Sequence, residues 1–122
     1  MSRLSEQLAL GRFVVTAEIA PPKGVGLDVI LEQAAALKGV TAVNVTDNQG
    51  ANMRTSPVAV AAVLARAGCE PVLQLTCRDR NRMALQSELL GASLLGIENL
   101  LLLSGDHPSF GDHPQSRPVF DL

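Results

Sequence analysis

Four short apolar runs, each bounded by glycine, proline or polar residues, constrain the fold of this chain more than any other feature. Their β-branched and aliphatic residues are typical of strands that are buried on both faces. They recur about every 30 residues, which is the length of a strand–helix–strand unit. A parallel sheet with right-handed crossovers is therefore predicted. The runs are Arg12–Ile19, Val40–Thr46, Pro71–Thr76 and Glu98–Ser104.

Helical patterns lie between these runs. Leu27–Lys38 places its apolar residues on one broad stripe and is followed by a glycine that ends it. A second helix has Ser56 as its predicted N-cap and Pro57 at its first position, and it stops at Gly68. A third begins near Asp79 or Asn81 and is expected to break between two later glycines, Gly91 and Gly96.

Two architectures share this alternation of strands and helices, the doubly wound sheet and the eight-fold barrel. A dinucleotide-binding doubly wound sheet has Gly-x-Gly-x-x-Gly after its first strand, whereas this chain reads IAPPKGVGL there. The barrel is favoured for that reason. Four strands and three helices make about half of a (β/α)8 TIM barrel, so residues 1–122 are expected to be an incomplete barrel. A half barrel leaves sheet edges unpaired and needs a partner or more chain.

Composition excludes several classes of function. The net charge of -2 provides no field that attracts nucleic acid, and 2% aromatic residues provide few stacking surfaces for bases. No apolar run is long enough to span a membrane, and the amino-terminal segment is too polar for a signal peptide. Cys69 and Cys77 fit neither zinc nor redox spacing, so we expect reduced thiols in a cytoplasmic protein; Cys77, at a strand end, can also line a pocket.

Polar or ionisable residues stand at the carboxyl end of every predicted strand. In a parallel barrel the functional side chains gather at this edge of the strands. The pattern therefore predicts a site there, although many strands end in polar residues. The candidates are Glu18, Thr46-Asp47-Asn48, Thr76-Cys77-Arg78-Asp79 and Ser104-Gly105-Asp106-His107.

Glu18 is the most specific candidate because it lies inside the apolar run VVTAEIAPP. Burial there disfavours a charged carboxylate, and a protonated carboxyl group can act as a general acid. A glutamate in a salt bridge inside the barrel explains the same position equally well.

The other candidates also have two interpretations each. Asp106 follows a strand and a glycine; it can accept hydrogen bonds from a heterocycle or stabilise a cation, or it can cap a turn. Thr46 and Thr76 can bind a ligand or satisfy nearby backbone groups. Arg54, on the long loop DNQGANMRTSP, can bind a phosphate or carboxylate, although turn chemistry explains the loop as well.

The segment SGDHPSFGDHPQSRP repeats Gly-Asp-His-Pro, and its two Asp and two His residues raise the question of a metal site. The prolines prevent a helix that would align the ligands on one face, and no cysteine or third histidine joins them. No metal site is therefore predicted, and a solvated loop over the site is expected.

Three segments resemble bacterial 5,10-methylenetetrahydrofolate reductases: TAEIAPPKG, VNVTDNQGANMRTSP and LQLTCRDRNRMALQSELLGASLLGIENLLLLSGDHP. The resemblance runs from about Phe13 to Leu122. Its most specific parts are (V/L)T-C-x-D-x-N and L-(S/T)-G-D-x-P, in the same order and spacing as in that family. The family fold is a TIM barrel that holds a flavin at the carboxyl ends of its strands, and the resemblance implies that residues 1–122 are the N-terminal half of this barrel.

The resemblance implies a function and a set of site residues. The function is flavin-dependent reduction of 5,10-methylenetetrahydrofolate to 5-methyltetrahydrofolate, with FAD or FMN as cofactor and NADH or NADPH as electron donor. Glu18 would be the general acid that opens the methylene bridge, and Asp106 would stabilise the resulting cation. The implied cofactor-binding residues are Thr46, Gln74, Ser104, Gly105 and Asp106.

Two readings from other classes stay open. In one, the chain is a truncated or split half barrel without activity of its own, which self-associates or needs a partner subunit. In the other, it belongs to a pterin-handling barrel that uses no flavin. A homo-oligomer or a partner subunit is expected in either case.

Overall fold

The computed structural model describes all 122 residues. Its centre is one sheet of four parallel strands in the order β1-β2-β3-β4. This confirms the predicted α/β class and the parallel pairing, and it is consistent with part of a TIM-barrel fold. The strands are β1 (Thr16–Ile19), β2 (Ala42–Val45), β3 (Pro71–Thr76) and β4 (Asn99–Leu103).

β1 and β2 begin later than the sequence predicted. Thr16 pairs with Ala42, and the residues that precede Ala42 form the turn after a helix, in which the Val40 N–H donates to the Leu37 carbonyl. The Val15 carbonyl still accepts a hydrogen bond from the Thr41 N–H, whereas residues 12–14 pair with no strand, and Phe13 is almost fully exposed.

Four helices accompany the strands, where three were predicted. They are α1 (Arg3–Ala9), α2 (Leu27–Ala36), α3 (Pro57–Arg66) and α4 (Arg82–Leu94). The Asn81 side chain caps α4 by accepting from the Ala84 N–H, and the helix ends between Gly91 and Gly96, both as expected. Ser56 and Pro57 also stand where predicted, but the Ser56 side chain makes no capping hydrogen bond.

α1 was missed because long-range contacts hold it in place. The Glu70 carboxylate accepts hydrogen bonds from the backbone N–H groups of Arg3 and Leu4, which are free at the start of a helix. Ser2 caps the same helix and donates to Asn99, the first residue of β4. α1 therefore lies against the amino ends of the strands, away from the expected site.

The two faces of the sheet differ in chemistry because side chains alternate along each strand. One face packs on α2, α3 and α4 and forms the core, which includes Ile19, Val45, Leu73 and Leu75. We call the opposite side, which no helix covers, the inner face. Most of its side chains are polar: Thr16, Glu18, Asn44, Thr46, Gln74, Thr76 and Asn99.

β1 and β4 are the edges of the sheet, since neither has a second neighbour. Four leucines of β4, Leu100–Leu103, are all exposed. Beside them, Cys77, Leu75 and Leu102 line an apolar groove of about 370 Å³ against α4. The Cys77 thiol therefore belongs to the helix side of the sheet. None of the helices is long and apolar enough to cross a bilayer.

Candidate active site

The predicted site residues lie at one edge of the sheet, which we call the carboxyl edge. Glu18 is the penultimate residue of β1, Thr46 follows β2, Thr76 ends β3, and Asp106 comes three residues after β4. Because all four strands are parallel, these positions share an edge. The two carboxyl groups thus stand on the outermost strands, at the same end of the sheet.

Glu18 and Asp106 are not in direct contact. The register places Glu18 beside Asn44, Asn44 beside Val72, and Val72 beside Asn99. Asp106 lies further along, beyond the end of β4, and no hydrogen bond or salt bridge joins the two carboxyl groups. A molecule that used both would have to extend across the inner face.

The expectation that Glu18 is buried is wrong for this chain. Its side chain is exposed, because β1 is an edge strand without an outer neighbour and no helix covers the inner face there. It also forms no salt bridge, so the alternative of a structural ion pair is wrong as well. An exposed and unpaired carboxyl group remains available to a ligand.

Two buried hydroxyl groups at the carboxyl edge have no hydrogen-bond partner. Thr46 is 4% exposed and Thr76 is 2% exposed, yet neither Oγ1 is bonded within the chain. Burying a polar group without a partner costs about 1–3 kcal/mol, so native proteins rarely leave such groups unused. Gln74, which lies between them in the sheet, is also buried, and its side chain forms no hydrogen bond.

The segment after β4 reaches this part of the sheet. Gly105 adopts a left-handed conformation, with φ at +79°, and a Cβ there would lie 3.0 Å from the Thr76 methyl carbon. Any side chain at this position would be both strained and crowded. Ser104 and Asp106 on either side are exposed, and their side chains form no hydrogen bonds. The structure therefore brings together Thr46, Gln74, Thr76 and Ser104–Asp106 with unused polar capacity, which suits a polar heterocycle such as a flavin or a pterin.

A buried ion pair supports the carboxyl edge, and the sequence analysis missed it. The Asp47 side chain is fully buried; it accepts from the Thr76 N–H at 2.8 Å and from two guanidinium nitrogens of Arg80. Arg80 also donates to the Thr76 carbonyl. This pair fixes the end of β2 against the end of β3. The only available sequence signal was an Asp directly after β2, in TDN, and the alternating Arg and Asp directly after β3, in TCRDR.

Arg78 forms a second network and is 2% exposed. Its guanidinium makes a bidentate pair with Asp79 and donates to the backbone carbonyls of Asn48 and Asp106. The hydrogen bond to Asp79 raises the pKa of Arg78 despite its burial. One side chain thereby connects the loops that follow β2, β3 and β4.

Asp79 gives this network a pH dependence. The hydrogen bond from Arg78, followed by that from Asn48, lowers the pKa of Asp79 below its ordinary value of 3.8. A carboxyl group with a depressed folded-state pKa contributes stability above its unfolded pKa and loses it as the pH falls through the folded value. We expect Asp79→Asn to lower the melting temperature at pH 7, where the carboxylate supports the buried Arg78 guanidinium, and to flatten the further loss below about pH 4. If the melting temperature of Asp79→Asn fell below pH 4 as steeply as that of the wild type, the role of Asp79 in this pH dependence would be contradicted.

The loop after β4 is fastened to the two earlier loops. The Asp112 carboxylate accepts from the Met53 N–H at 3.0 Å and from Lys23 at 3.1 Å. Gly111 lies so close to the Ala51 carbonyl that no larger residue fits. Asp112 is thus held in a polar contact between loops, and no cluster of three or more potential ligands could hold a metal ion.

Arg54 has a structural role in this arrangement. The Arg54 guanidinium donates to the Pro21 carbonyl, and the Arg54 backbone N–H donates to the Asn48 side-chain oxygen. These contacts connect the loops after β1 and β2. The Arg54 Nε is buried without a partner, so a ligand contact stays open at that nitrogen.

Comparison with known proteins agrees with this geometry. A sequence model described as methylenetetrahydrofolate reductase matches residues 3–121. A search of curated proteins found no match. The family match covers nearly the whole chain, including every residue of the carboxyl edge described above. The chain therefore belongs to the methylenetetrahydrofolate reductase family.

Proposed function

We propose that this chain serves the flavin-dependent reduction of 5,10-methylenetetrahydrofolate to 5-methyltetrahydrofolate in the cytoplasm. The observation that carries the proposal is the set of polar groups at the carboxyl edge that find no partner within the chain: the Thr46 and Thr76 hydroxyls, the Gln74 amide and the Asp106 carboxylate. A ligand with hydrogen-bonding edges would satisfy them. Family membership supports a folate substrate, and we propose a flavin as the cofactor beside it.

The residues fit a flavin, FAD or FMN. Thr46, Gln74, Ser104, Gly105 and Asp106 would hold it along the carboxyl edge, where the lack of a side chain at Gly105 lets the segment after β4 pack against Thr76 and Arg78. When bound, the flavin supplies the hydride, which it obtains from NADH or NADPH. The threonine hydroxyls and the amide orient the ring by hydrogen bonds that the chain does not otherwise use.

Glu18 and Asp106 have distinct proposed roles toward the folate. Glu18 gives a proton to a nitrogen of the methylene-bridged ring; the carbon–nitrogen bond breaks and a cationic iminium remains on the folate. Asp106 stabilises that positive charge by its own negative charge. Hydride addition at the iminium carbon then completes the methyl group.

The proposal is tested by measuring turnover of 5,10-methylenetetrahydrofolate, with NADH or NADPH as the electron donor, in the assembled, flavin-loaded protein. Formation of 5-methyltetrahydrofolate, together with a bound-flavin absorbance spectrum, is the expected result. Turnover without flavin would favour a pterin-handling barrel of another kind. Binding of neither flavin nor folate would contradict the proposal.

The open edges of the sheet favour a second candidate, a half barrel that must associate before it functions. β4 exposes four leucines, and neither β1 nor β4 has an outer neighbour. Exposed apolar edge strands promote association. Sedimentation analysis of the chain would show defined oligomers or a complex with a partner subunit, and a stable monomer would contradict this candidate.

A further inference from the structure

Arg78 is the most buried cation of the chain. Its side chain forms no hydrogen bond with any predicted ligand-binding side chain. Only 2% of it is exposed. All its polar contacts lie within the protein: the carboxylate of Asp79, the carbonyl of Asn48 at 3.4 Å and the carbonyl of Asp106 at 3.1 Å. Burying a guanidinium is costly unless its donors are used, and here they are used on two adjacent loops as well as on its neighbour.

The contact with Asp106 is specific. Arg78 Nη1 donates to the backbone carbonyl of Asp106, so it fixes the peptide and leaves the carboxylate free. The preceding Gly105 fits against the same nitrogen, since a Cβ there would lie 3.1 Å from it. Asp106 is also close enough for its charge to contribute to the raised pKa of Arg78. The aspartate has no other side-chain contact that would hold it.

We infer that Arg78 is a positioning residue for Asp106: by holding the Asp106 carbonyl, it sets where the free carboxylate stands at the carboxyl edge. Asp106 lies on an exposed loop and its side chain has no partner, so the aspartate would sample many positions without this contact. A displacement of about 1 Å at a reacting group can cost roughly 10²-fold in rate. The catalytic consequence rests on the proposed function, whereas the positioning itself does not.

A double-mutant cycle tests the catalytic consequence. Arg78→Ala is expected to lower kcat/KM by roughly 10²-fold. If Arg78 acts through Asp106, the same change should cost little in an Asp106→Asn background, because the group it positions is already lost. Guanidinium ion at low concentration should restore part of the activity of Arg78→Ala and none of that of Arg78→Ala/Asp106→Asn. Full additivity of the two losses would overturn the inference.

Two further variants distinguish a loss of positioning from a failure of Arg78→Ala to fold. Arg78→Lys keeps the positive charge, but an ammonium lacks the planar fork that reaches Asp79 and both carbonyls; it is expected to lose activity in the same direction. Arg82→Ala is the matched control, since Arg82 is exposed and pairs only with Asp121; its activity should be unchanged. Wild-type kcat/KM in Arg78→Lys would count against the inference.

Amide hydrogen exchange provides a readout that does not need turnover. Arg78→Lys and Arg78→Ala should speed exchange in residues 104–108 while strands β2 and β3 keep their protection. If the wild type lacks reductase activity yet this local change occurs, the proposed function fails and the positioning stands. If the wild type is active, Asp106→Asn is inactive, and neither Arg78 variant alters exchange or turnover, the inference fails alone.

Discussion

Replacement of Glu18 by Gln is expected to lower the rate of folate reduction by roughly 10²–10⁴-fold, which is the range that general acids contribute. Glutamine keeps the shape of the side chain and removes its transferable proton. Glu18 is exposed on the inner face and has no salt-bridge partner, so the substitution should leave the fold intact. Turnover of 5,10-methylenetetrahydrofolate in the flavin-loaded protein measures the effect, and the bound-flavin spectrum should be retained.

Glu98→Gln is the matched control for this change. Glu98 is also an exposed glutamate next to a strand, but it lies at the amino end of β4, away from the carboxyl edge. Its variant should reduce folate at the normal rate. Normal turnover in Glu18→Gln would refute the acid role of Glu18, and loss of flavin in that variant would show that the carboxyl group serves cofactor binding instead.

Replacement of Arg80 by Ala should give the largest loss of stability, about 3–5 kcal/mol. Its partner Asp47 is fully buried and would be left without its counter-charge, since only the Thr76 N–H would remain to it. Chemical denaturation at pH 7 measures the difference in the free energy of unfolding. Part of the loss should be recovered in Arg80→Ala/Asp47→Asn, because the neutral amide does not leave a charge buried.

The control for Arg80 is again Arg82→Ala. Its pair with Asp121 is exposed on both sides, and such surface pairs contribute about 0–1 kcal/mol. Equal small losses in the two alanine variants would mean that the Asp47–Arg80 pair is not buried in solution. That result would remove the support we assign to the ends of β2 and β3.

The sequence was sufficient for the elements that follow local patterns. β3 matched its predicted bounds because all six residues are apolar or buried and both neighbours pair with it. Asn81 and Gly96 marked the ends of α4 through their own side-chain and backbone preferences. The carboxyl edge also followed, since parallel pairing alone brings the four strand ends together.

What the sequence left out depends on contacts between distant residues. α1 is short and exposed, and it is held by Glu70 and Asn99 from far along the chain. The exposure of Glu18 depends on what covers the inner face, which an apolar run cannot reveal. Arg78 was one of several polar residues at the end of a predicted strand and Arg80 was not singled out, and only the fold shows that one contacts the Asp106 carbonyl and the other Asp47.

The most direct test of a ligand site at the carboxyl edge is amide hydrogen exchange of the assembled protein with and without flavin and 5-methyltetrahydrofolate. Protection is expected in Ala17–Ala20, Thr46–Asn48, Gln74–Arg78 and Ser104–His107, the ends of all four strands. Protection confined to the groove between β4 and α4, or to the amino ends of the strands beside α1, would contradict the account.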